Sequence, residues 1–560
     1  MRFAVPATAL FSVLFLTSCK PEAQPEAAAG PADTGITIFT GGTIYTGVPE
    51  QPVVEAVVVD KSGRIVGTVP PLSADWDDPS DASGVEIIDL GGAYMFPGFT
   101  DSHIHLLGIG QRELTLNLEG TASVDELVTR VEAELEGLPP GAILYGRGWI
   151  ETGWPEGRMP SAADLDAVSA DNPVVLTRAD GHALVANSAA LAAAGILDLT
   201  DDPAGGHVER GPDGRATGIV IDNAAAPVYA LFRAPSEAEL TKALEIGAKT
   251  YVARGWTGAH NMSVEPREAP LMAALDADGR LSLRLYNAFD ERGFDLARQH
   301  QFETDTIRNR AVKLYMDGAL GSRGALLIAP YSDRPETSGL STLEPTVLHN
   351  LMMRANEEQV QLAIHAIGDL ANRNILDTFE ELGYGADLRW RIEHTQILAP
   401  EDIERVGALG LVASMQPSHA IGDLHFAPAR LGIDRLKGAY AWKSLLQTGA
   451  VVAGGSDAPV EVGSPLIEFY AAVARKDLEG FSGEGWHPEE ALSRDEALAL
   501  FTSAPAFAAF QEADLGTIEP GKLADFTVFD RDLMTVPEAE ILEAKAVMTV
   551  VGGEIVYRAE

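Results

Sequence analysis

Short apolar runs alternate with polar loops and amphipathic helical patterns through the middle of the chain. This alternation is typical of parallel β/α units. The strands that it predicts are residues 94–99, 256–259, 283–288, 311–315, 361–364, 390–392, 411–415 and 450–453. These eight strands are the number that a closed (β/α)8 barrel, or TIM barrel, requires, so the predicted fold class is α/β with such a barrel.

The interval between the first two predicted strands is much longer than the others. We therefore expect a large insertion after strand 1, at about residues 111–233, within a barrel domain that spans residues 93–512. The insertion contains another strand-like run at residues 173–178, which would be a ninth strand. A strand count that differs by one therefore stays open.

Both ends of the chain carry short β-rich runs separated by glycine turns. They lie within residues 36–92 and 513–560. Short runs of this kind predict small antiparallel strands. We expect the two ends to meet in one small β-sandwich domain beside the barrel.

The first 18 residues have the length and apolar character of a secretory signal peptide and are too short for a membrane span. They are followed by Cys19, the only cysteine, in the sequence LTSC, which resembles a bacterial lipobox. The resemblance implies a protein lipid-anchored through Cys19 to a membrane of the bacterial cell envelope. It would face the periplasm, and Lys20 favours the outer membrane. A chance cysteine after an ordinary secretory signal is the alternative, and residues 19–35 predict a flexible tether.

The charge balance limits the possible partners. The chain has 82 acidic against 41 basic side chains and a formal net charge of −41. Because nucleic acids attract basic surfaces, this composition argues against a nucleic-acid partner. Self-repulsion that keeps the protein soluble explains the acidity more simply than attraction of a cationic substrate does.

Histidines and an aspartate follow the predicted barrel strands. His103 and His105 come after the first strand, and their spacing places both side chains on one side of an extended segment. His365, His394 and Asp457 follow strands five, six and eight. A single histidine after a strand is more often structural, but loops at the carboxyl ends of barrel strands converge on one face. Imidazole and carboxylate groups together there predict a divalent metal site, with zinc a suitable ion.

From residue 36 to residue 560 the chain resembles the amidohydrolase superfamily. In that superfamily a His-x-His pair, two later histidines and a strand-eight aspartate hold one or two metal ions. Residues 313–323 (KLYMDGALGSR) and 181–184 (GHAL) resemble the branch that contains N-substituted formamide deformylases, amidohydrolase family 3. The resemblance implies hydrolysis of a non-peptide or small amide C–N bond of a small molecule.

Lys313 falls near the end of strand four, where binuclear members of the superfamily place a lysine that carbon dioxide has converted to a metal-bridging carbamate. A free ammonium beside two dications is electrostatically unfavourable. Lys313 is therefore either carbamylated or a structural lysine turned away from the metals.

A metal ion at this site would lower the pKa of bound water and yield hydroxide near neutral pH, while polarising the carbonyl of the substrate. Asp457 would both ligate the metal and act as general base and then general acid. A mononuclear deaminase of a heterocyclic substrate is a competing enzyme, and a non-catalytic lipoprotein that binds small molecules is a competing class. Substrate, metal and oligomeric state stay open.

Further residues are weaker candidates. His182 and His419 would polarise the carbonyl or hold the substrate, with structural roles as the alternative. Trp149 and Trp154 would line a substrate pocket or, as is commoner for tryptophan, pack in a core.

Arg323 is a candidate for substrate binding. Together with Ser322 it would receive a carboxylate through its planar guanidinium group. Asp317 is also a candidate for substrate binding, and the alternative is a buried ion pair between Arg323 and Asp317.

Overall fold

The computed structural model describes residues 35–70, 85–169, 171–199, 201–483 and 486–560. The predicted signal peptide, Cys19 and the tether up to residue 34 lie outside these residues. No helix in the described part of the chain is sufficiently long and apolar to cross a membrane.

The strands form three sheets. In chain order they are β1 (Ile36–Tyr45), β2 (Val53–Val59), β3 (Ile65–Val69), β4 (Val85–Asp89), β5 (Tyr94–Pro97), β6 (Phe99–Ile104), β7 (Leu116–Asn117), β8 (Leu144–Trp149), β9 (Val174–Arg178), β10 (Ala183–Ala186), β11 (Gly206–Arg210), β12 (Ala216–Asp222), β13 (Trp256–Val264), β14 (Arg284–Phe289), β15 (Ile307–Tyr315), β16 (Gln361–Ala366), β17 (Arg391–His394), β18 (Val412–Met415), β19 (Val452–Gly454), β20 (Phe526–Phe529), β21 (Ala546–Val551) and β22 (Glu554–Arg558).

The α-helices lie mainly between barrel strands. They are α1 (Leu106–Arg112), α2 (Val124–Leu135), α3 (Ala162–Asp166), α4 (Ser188–Ala193), α5 (Ala226–Tyr229), α6 (Glu237–Arg254), α7 (Ala269–Ala277), α8 (Phe294–Arg298), α9 (Pro345–Glu357), α10 (Asp369–Leu382), α11 (Pro400–Leu409), α12 (Pro417–Asp423), α13 (Ala427–Leu431), α14 (Trp442–Gln447), α15 (Pro465–Ala474), α16 (Arg494–Phe501), α17 (Ser503–Ala508) and α18 (Glu538–Ile541).

Eight parallel strands form the barrel. Their order is β6, then β13 through β19 in sequence. The last strand returns to the first through a parallel bridge between Ile104 and Ala458, and the amide of Asp457 donates to the carbonyl of His103 at 2.7 Å. The TIM-like barrel expected from the sequence is thus confirmed, and its closing contact brings two candidate ligands together.

The first barrel strand is displaced from its predicted position. Residues 94–99 were expected to form it, but β5 (Tyr94–Pro97) pairs with β1 and β20 in another sheet, and β6 (Phe99–Ile104) is the barrel strand. Gly98 connects the two, where a Cβ atom would lie 2.3 Å from Oγ1 of Thr257. One apolar run therefore supplies two strands, because the chain passes from one sheet to the next at a glycine.

Strands from the two chain ends are hydrogen-bonded into one sheet. Its order is β22, β21, β20, β5, β1, β2, β3, with β4 also paired to β1. The prediction was a β-sandwich; the hydrogen bonds join all eight of these strands in a single sheet around a buried apolar cluster that includes Phe39, Val57 and Phe526. Phe99 joins this region to the barrel, since its ring packs on Phe529.

Residues between the first two barrel strands form a six-stranded sheet of their own, ordered β11, β12, β10, β9, β8, β7. The strand-like run at 173–178 is β9 of this sheet, outside the barrel. The chain returns to the barrel through α6, which begins with a capping box between Ser236 and Glu239 and ends at Gly255 with a φ of 106°.

Candidate metal centre

His103 and His105 are presented by the end of the first barrel strand. His103 lies in β6 and His105 follows it directly. Nδ1 of His103 is 2.6 Å from Oε2 of Glu393, and Nδ1 of His105 is 3.2 Å from the carbonyl of Met262. These contacts leave both Nε2 atoms facing Oδ1 of Asp457, at 3.5 and 3.2 Å. The three side chains form a compact group that could hold one metal ion.

A second group shares Asp457. It consists of His394, His419 and Asp457, whose ligand atoms all lie within 4.8 Å of one another. Nδ1 of His394 is 2.8 Å from Oε1 of Gln416, which orients the ring. The predicted ligand His365 lies beside this group, with its ring centroid 4.5 Å from that of His394.

Lys313 points into the same space from β15. Its buried Nζ atom lies 3.2 Å from Nε2 of His103. Burial lowers the pKa of Lys313 to about 8, with Arg391 acting in the same direction and the carboxylates of Glu393 and Asp457 opposing it. The amine is therefore more readily neutral than an exposed lysine, as reaction with carbon dioxide requires.

The charge states of these groups suit a divalent cation. Burial lowers the pKa of His103, His365 and His394 well below the usual range, so that their imidazoles are neutral and keep a lone pair. Burial opposes ionisation of Asp457, but the histidines hold the pKa of this carboxyl well below its usual range. The buried Oδ1 of Asp457 and Nε2 of His365 have no hydrogen-bond partner among the described residues. Neutral imidazoles, a carboxylate and unpaired acceptors match the ligand set of zinc.

Two of the candidate ligands have an unusual backbone conformation. His394 has a φ of 73° and Asp457 a φ of 60°, in the left-handed region that non-glycine residues seldom adopt. Such strain persists only where the surrounding structure enforces it, and it clusters at functional sites.

A cavity of about 490 Å³ opens above this cluster, between the barrel and the insertion. His182 reaches the cavity from the insertion, with its ring centroid 5.6 Å from that of His365. Burial lowers the pKa of His182, but the carboxylate of Asp222, 2.7 Å from Nδ1, outweighs burial and raises it. A cavity of this size is typical of a small-molecule site.

His419 also lines the cavity, as the sequence suggested for a substrate contact. Its Nε2 atom is 3.8 Å from Oδ2 of Asp457 and 3.8 Å from Oε1 of Glu461. This atom has no hydrogen bond within the described chain, and burial lowers its pKa. His419 can therefore accept a hydrogen bond from a ligand or bind a metal.

The proposed roles of Trp149 and Trp154 in substrate binding are corrected. Both are buried in the apolar core of the insertion and are absent from the cavity lining. The indole of Trp149 donates to the carbonyl of Leu176, and that of Trp154 donates to the carbonyl of Thr121. The hydrogen bonds satisfy both polar ends, so the alternative of core packing is the correct one.

The proposed carboxylate site at Arg323 and Ser322 is also corrected. Arg323 is paired with Asp333, at 2.8 Å from Nη2 to Oδ2, and Oγ of Ser322 donates to a backbone carbonyl. Neither residue lines the cavity.

Asp317 is neither a substrate contact nor the partner of Arg323. It accepts hydrogen bonds from the amides of Leu326, Ile367 and Gly368. Oδ1 lies 3.4 Å from Nε2 of His365. Asp317 therefore fixes the loops around His365.

Arg391 and Glu393 form a buried support that the sequence analysis missed. They flank Ile392 on β17, so that both charged side chains face the barrel interior. Nε of Arg391 is 2.7 Å from Oε1 of Glu393, whose other oxygen holds His103. The sequence signal that could have found this support is the presence of two charged residues, two positions apart, within a barrel strand.

The fold and the site together define a class: a TIM barrel with a histidine, lysine and aspartate cluster at the carboxyl ends of its strands. Residues 86–557 match the model of the amidohydrolase family, and the chain belongs to that family.

Several relatives resemble almost the whole chain. YtcJ of Bacillus subtilis (strain 168) is 35% identical over 530 residues, covering 93% of this chain and 99% of YtcJ. N-substituted formamide deformylase of Arthrobacter pascens is 30% identical over 497 residues, covering 85% of this chain and 90% of the deformylase. The crystal structure of an uncharacterized metal-dependent hydrolase from Pyrococcus horikoshii OT3 has a TM-score of 0.72 and 29% identity, covering 90% of this chain and 99% of that one.

Proposed function

We propose that this protein is a metal-dependent hydrolase that cleaves a non-peptide or small amide C–N bond. The observation that carries the proposal is the position of Asp457, whose carboxylate belongs to both three-residue groups at the floor of the cavity. Similarity to a metal-dependent hydrolase structure supports the hydrolase assignment. Similarity to N-substituted formamide deformylase supports the C–N bond.

We further propose that zinc is the ion and that Lys313 is carbamylated. His103, His105, His365, His394 and Asp457 would hold the ions. Lys313 would join this ligand set through the anionic carbamate that forms when its neutral amine adds carbon dioxide and loses a proton. A bound divalent cation polarises a carbonyl oxygen and lowers the pKa of water at the site. The burial of Lys313 beside His103 favours this binuclear arrangement over the mononuclear deaminase.

The protein's own groups would move the protons. Asp457 would take the proton of the attacking water and return it to the leaving nitrogen. His182, which Asp222 holds and keeps more basic, would donate a hydrogen bond to the substrate carbonyl. His419 would accept a hydrogen bond from the substrate beside Asp457. The insertion, which supplies His182 and part of the cavity wall, would limit the access of bulk water to the cavity.

We also propose that the protein is anchored to the outer membrane through acylated Cys19 and faces the periplasm. The lipobox-like sequence at residues 16–19 supports this location, and no partner other than a small molecule and the membrane is proposed. Labelling of cells with a fatty-acid analogue, comparing the wild type with Cys19→Ser, tests it: label retained in the variant would refute the anchor.

The function is tested by metal analysis and turnover on protein lacking residues 1–19. We expect two zinc equivalents per chain, a carbamate detectable by mass spectrometry under non-acidic conditions, and hydrolysis of formamides or other small amides. In Lys313→Ala we expect at most one equivalent and loss of turnover. Three results together would establish the deaminase instead: one zinc equivalent per chain in the wild type, full activity in Lys313→Ala, and release of ammonia from heterocyclic amines. Inertness of the metal-loaded protein to amides, formamides, esters, lactones and heterocyclic amines would favour the non-catalytic binding protein.

A further inference from the structure

Two arginines from neighbouring strands of the insertion line the cavity, and they differ in their partners. Arg178 on β9 lies 2.8 Å from Oε2 of Glu151 through Nε and forms a second ion pair with Asp180. Its charge is therefore matched within the protein. Arg147 lies on the adjacent strand β8 and also faces the cavity.

Arg147 has no carboxylate partner in the part of the chain that the structure describes. Within the described residues its guanidinium makes one hydrogen bond, from Nη2 to the carbonyl of Ala179 at 3.2 Å, and no ion pair. Its Nε atom is buried and has no hydrogen-bond partner in that part of the chain. Acidic residues outnumber basic ones by two to one in this chain, 82 to 41, so an unpaired arginine in a cavity is not explained by a shortage of carboxylates. Leaving a buried charged donor without an acceptor costs free energy that a ligand could recover.

Other charged groups around the cavity are already engaged. Glu119 is 2.9 Å from Nη1 of Arg112, and Asp423 accepts from Nε2 of Gln396 at 2.7 Å. Glu461 lies at the metal end, 3.8 Å from His419. The guanidinium of Arg147 is thus the charge in the insertion wall that a ligand can neutralise.

Gly181 lies beside this guanidinium. A Cβ atom on Gly181 would lie 3.4 Å from Nη2 of Arg147, and Gly181 has a φ of 72°. A side chain at this position would be strained because of the positive φ, and its Cβ atom would be in van der Waals contact with the arginine. Gly181 directly precedes His182, whose ring approaches that of His365. The same cavity therefore connects Arg147 with the candidate metal ligands.

We infer that Arg147 binds a carboxylate at the end of the substrate remote from the scissile C–N bond. The inference rests on the proposed function and specifies its substrate class as small amides that carry a carboxylate. The planar guanidinium group matches a carboxylate through two parallel hydrogen bonds, which its two terminal nitrogens can supply. The amide end would then reach the cluster at Asp457.

The test uses metal-loaded protein and N-formyl ω-amino acids of increasing chain length, each paired with its neutral terminal carboxamide. For the best chain length we expect the wild type to have a kcat/KM at least tenfold higher for the carboxylate than for the carboxamide. Arg147→Met should reduce this preference at least tenfold, mainly through KM, and Arg147→Lys should keep part of it. Arg215→Met, which removes an exposed arginine of the same insertion, should keep the wild-type preference.

Two kinetic results would overturn the inference: a wild type without preference for the carboxylate at any chain length, or an equal loss of kcat/KM on both members of a pair in Arg147→Met. If the wild type hydrolyses neither the carboxylate nor the carboxamide, the proposed function fails. Calorimetric titration with the same pairs then tests carboxylate binding at Arg147 separately from turnover. Tenfold tighter binding of the carboxylate that disappears in Arg147→Met supports the subsite. Equal binding of both members refutes it.

Discussion

Oε2 of Glu393 lies 2.6 Å from Nδ1 of His103, and both side chains are fully buried. Because a carboxylate at Nδ1 requires an N–H there, the lone pair of the imidazole is on Nε2, the atom that faces Asp457 and Lys313. Arg391 fixes the other oxygen of Glu393. A chain of buried contacts thus sets the orientation of the first candidate ligand before any metal binds.

Glu393→Gln should weaken metal binding. Loss of an outer partner of a ligating histidine typically lowers metal affinity by about 10 to 100-fold. Competition with a chromophoric chelator measures the change directly. Glu404→Gln removes an exposed carboxylate and should leave the affinity unchanged.

Glu393→Gln also leaves Arg391 without its carboxylate, so the stability of the variant needs a separate measurement. If the thermal midpoint of the metal-free protein falls while the metal affinity stays at the wild-type value, Glu393 is a structural partner of Arg391. Restored affinity in Glu393→Asp would support the orienting role.

Barrel strands were predictable because each is an apolar run that ends in a polar loop. The displaced first strand shows the limit of this signal. Periodicity alone cannot divide the apolar run around Gly98, and the division depends on contact between Gly98 and Thr257, which is distant in sequence.

The candidate ligands were predictable because the carboxyl ends of barrel strands meet at one face, so that polar side chains at these ends lie close together. Residues whose role depends on the packing of the insertion were not. Arg147 and Trp149 are two positions apart on β8, a spacing that places two side chains on the same face of a regular strand. A register shift between them, at Gly148 with a φ of 109°, turns the indole into the core while the guanidinium faces the cavity. From the sequence, the tryptophan among glycines was a pocket candidate with core packing as the commoner alternative, and the register shift that separates it from Arg147 could not be predicted.

Asp457→Asn should abolish turnover while most metal stays bound. The asparagine keeps an oxygen near His103 and His105 but cannot accept a proton, and loss of a general base costs about 10² to 10⁴-fold in kcat. Turnover and metal content should be measured on the same preparation, with Asp434→Asn, an exposed substitution, as the control. Activity within a few fold of the wild type would refute the proton-transfer role.

Metal removal should destabilise the protein, and full recovery should require carbon dioxide. A ligand at 1,000 times its Kd stabilises the folded state by about 4 kcal/mol, so chelation should lower the thermal midpoint measurably. We expect zinc with bicarbonate to restore two equivalents, and zinc in carbon dioxide-free buffer to restore fewer.

Lys437→Met changes an exposed lysine, and its recovery of zinc should depend on bicarbonate as that of the wild type does. In Lys313→Met the recovery of zinc should be the same with and without bicarbonate. Equal recovery of the wild type with and without bicarbonate would contradict the carbamate.

Glu268, which is 4% exposed, provides a test of the electrostatics away from the metal centre. Burial raises its pKa to about 7, with a further contribution from Glu265, while the amide of Glu265 opposes the shift. A carboxyl whose pKa is raised on folding stabilises the protein below its unfolded pKa of about 4.3, and this stabilisation is lost as pH rises through about 7.

Glu268→Gln removes the ionisation, so its free energy of unfolding relative to the wild type should increase by about 2 to 3 kcal/mol between pH 5 and pH 8. Thermal midpoints of both proteins across this range measure the change. Glu291→Gln, at an exposed position nearby, should show a pH profile parallel to that of the wild type. A parallel profile for Glu268→Gln as well would mean that water or a structural rearrangement relieves the buried charge.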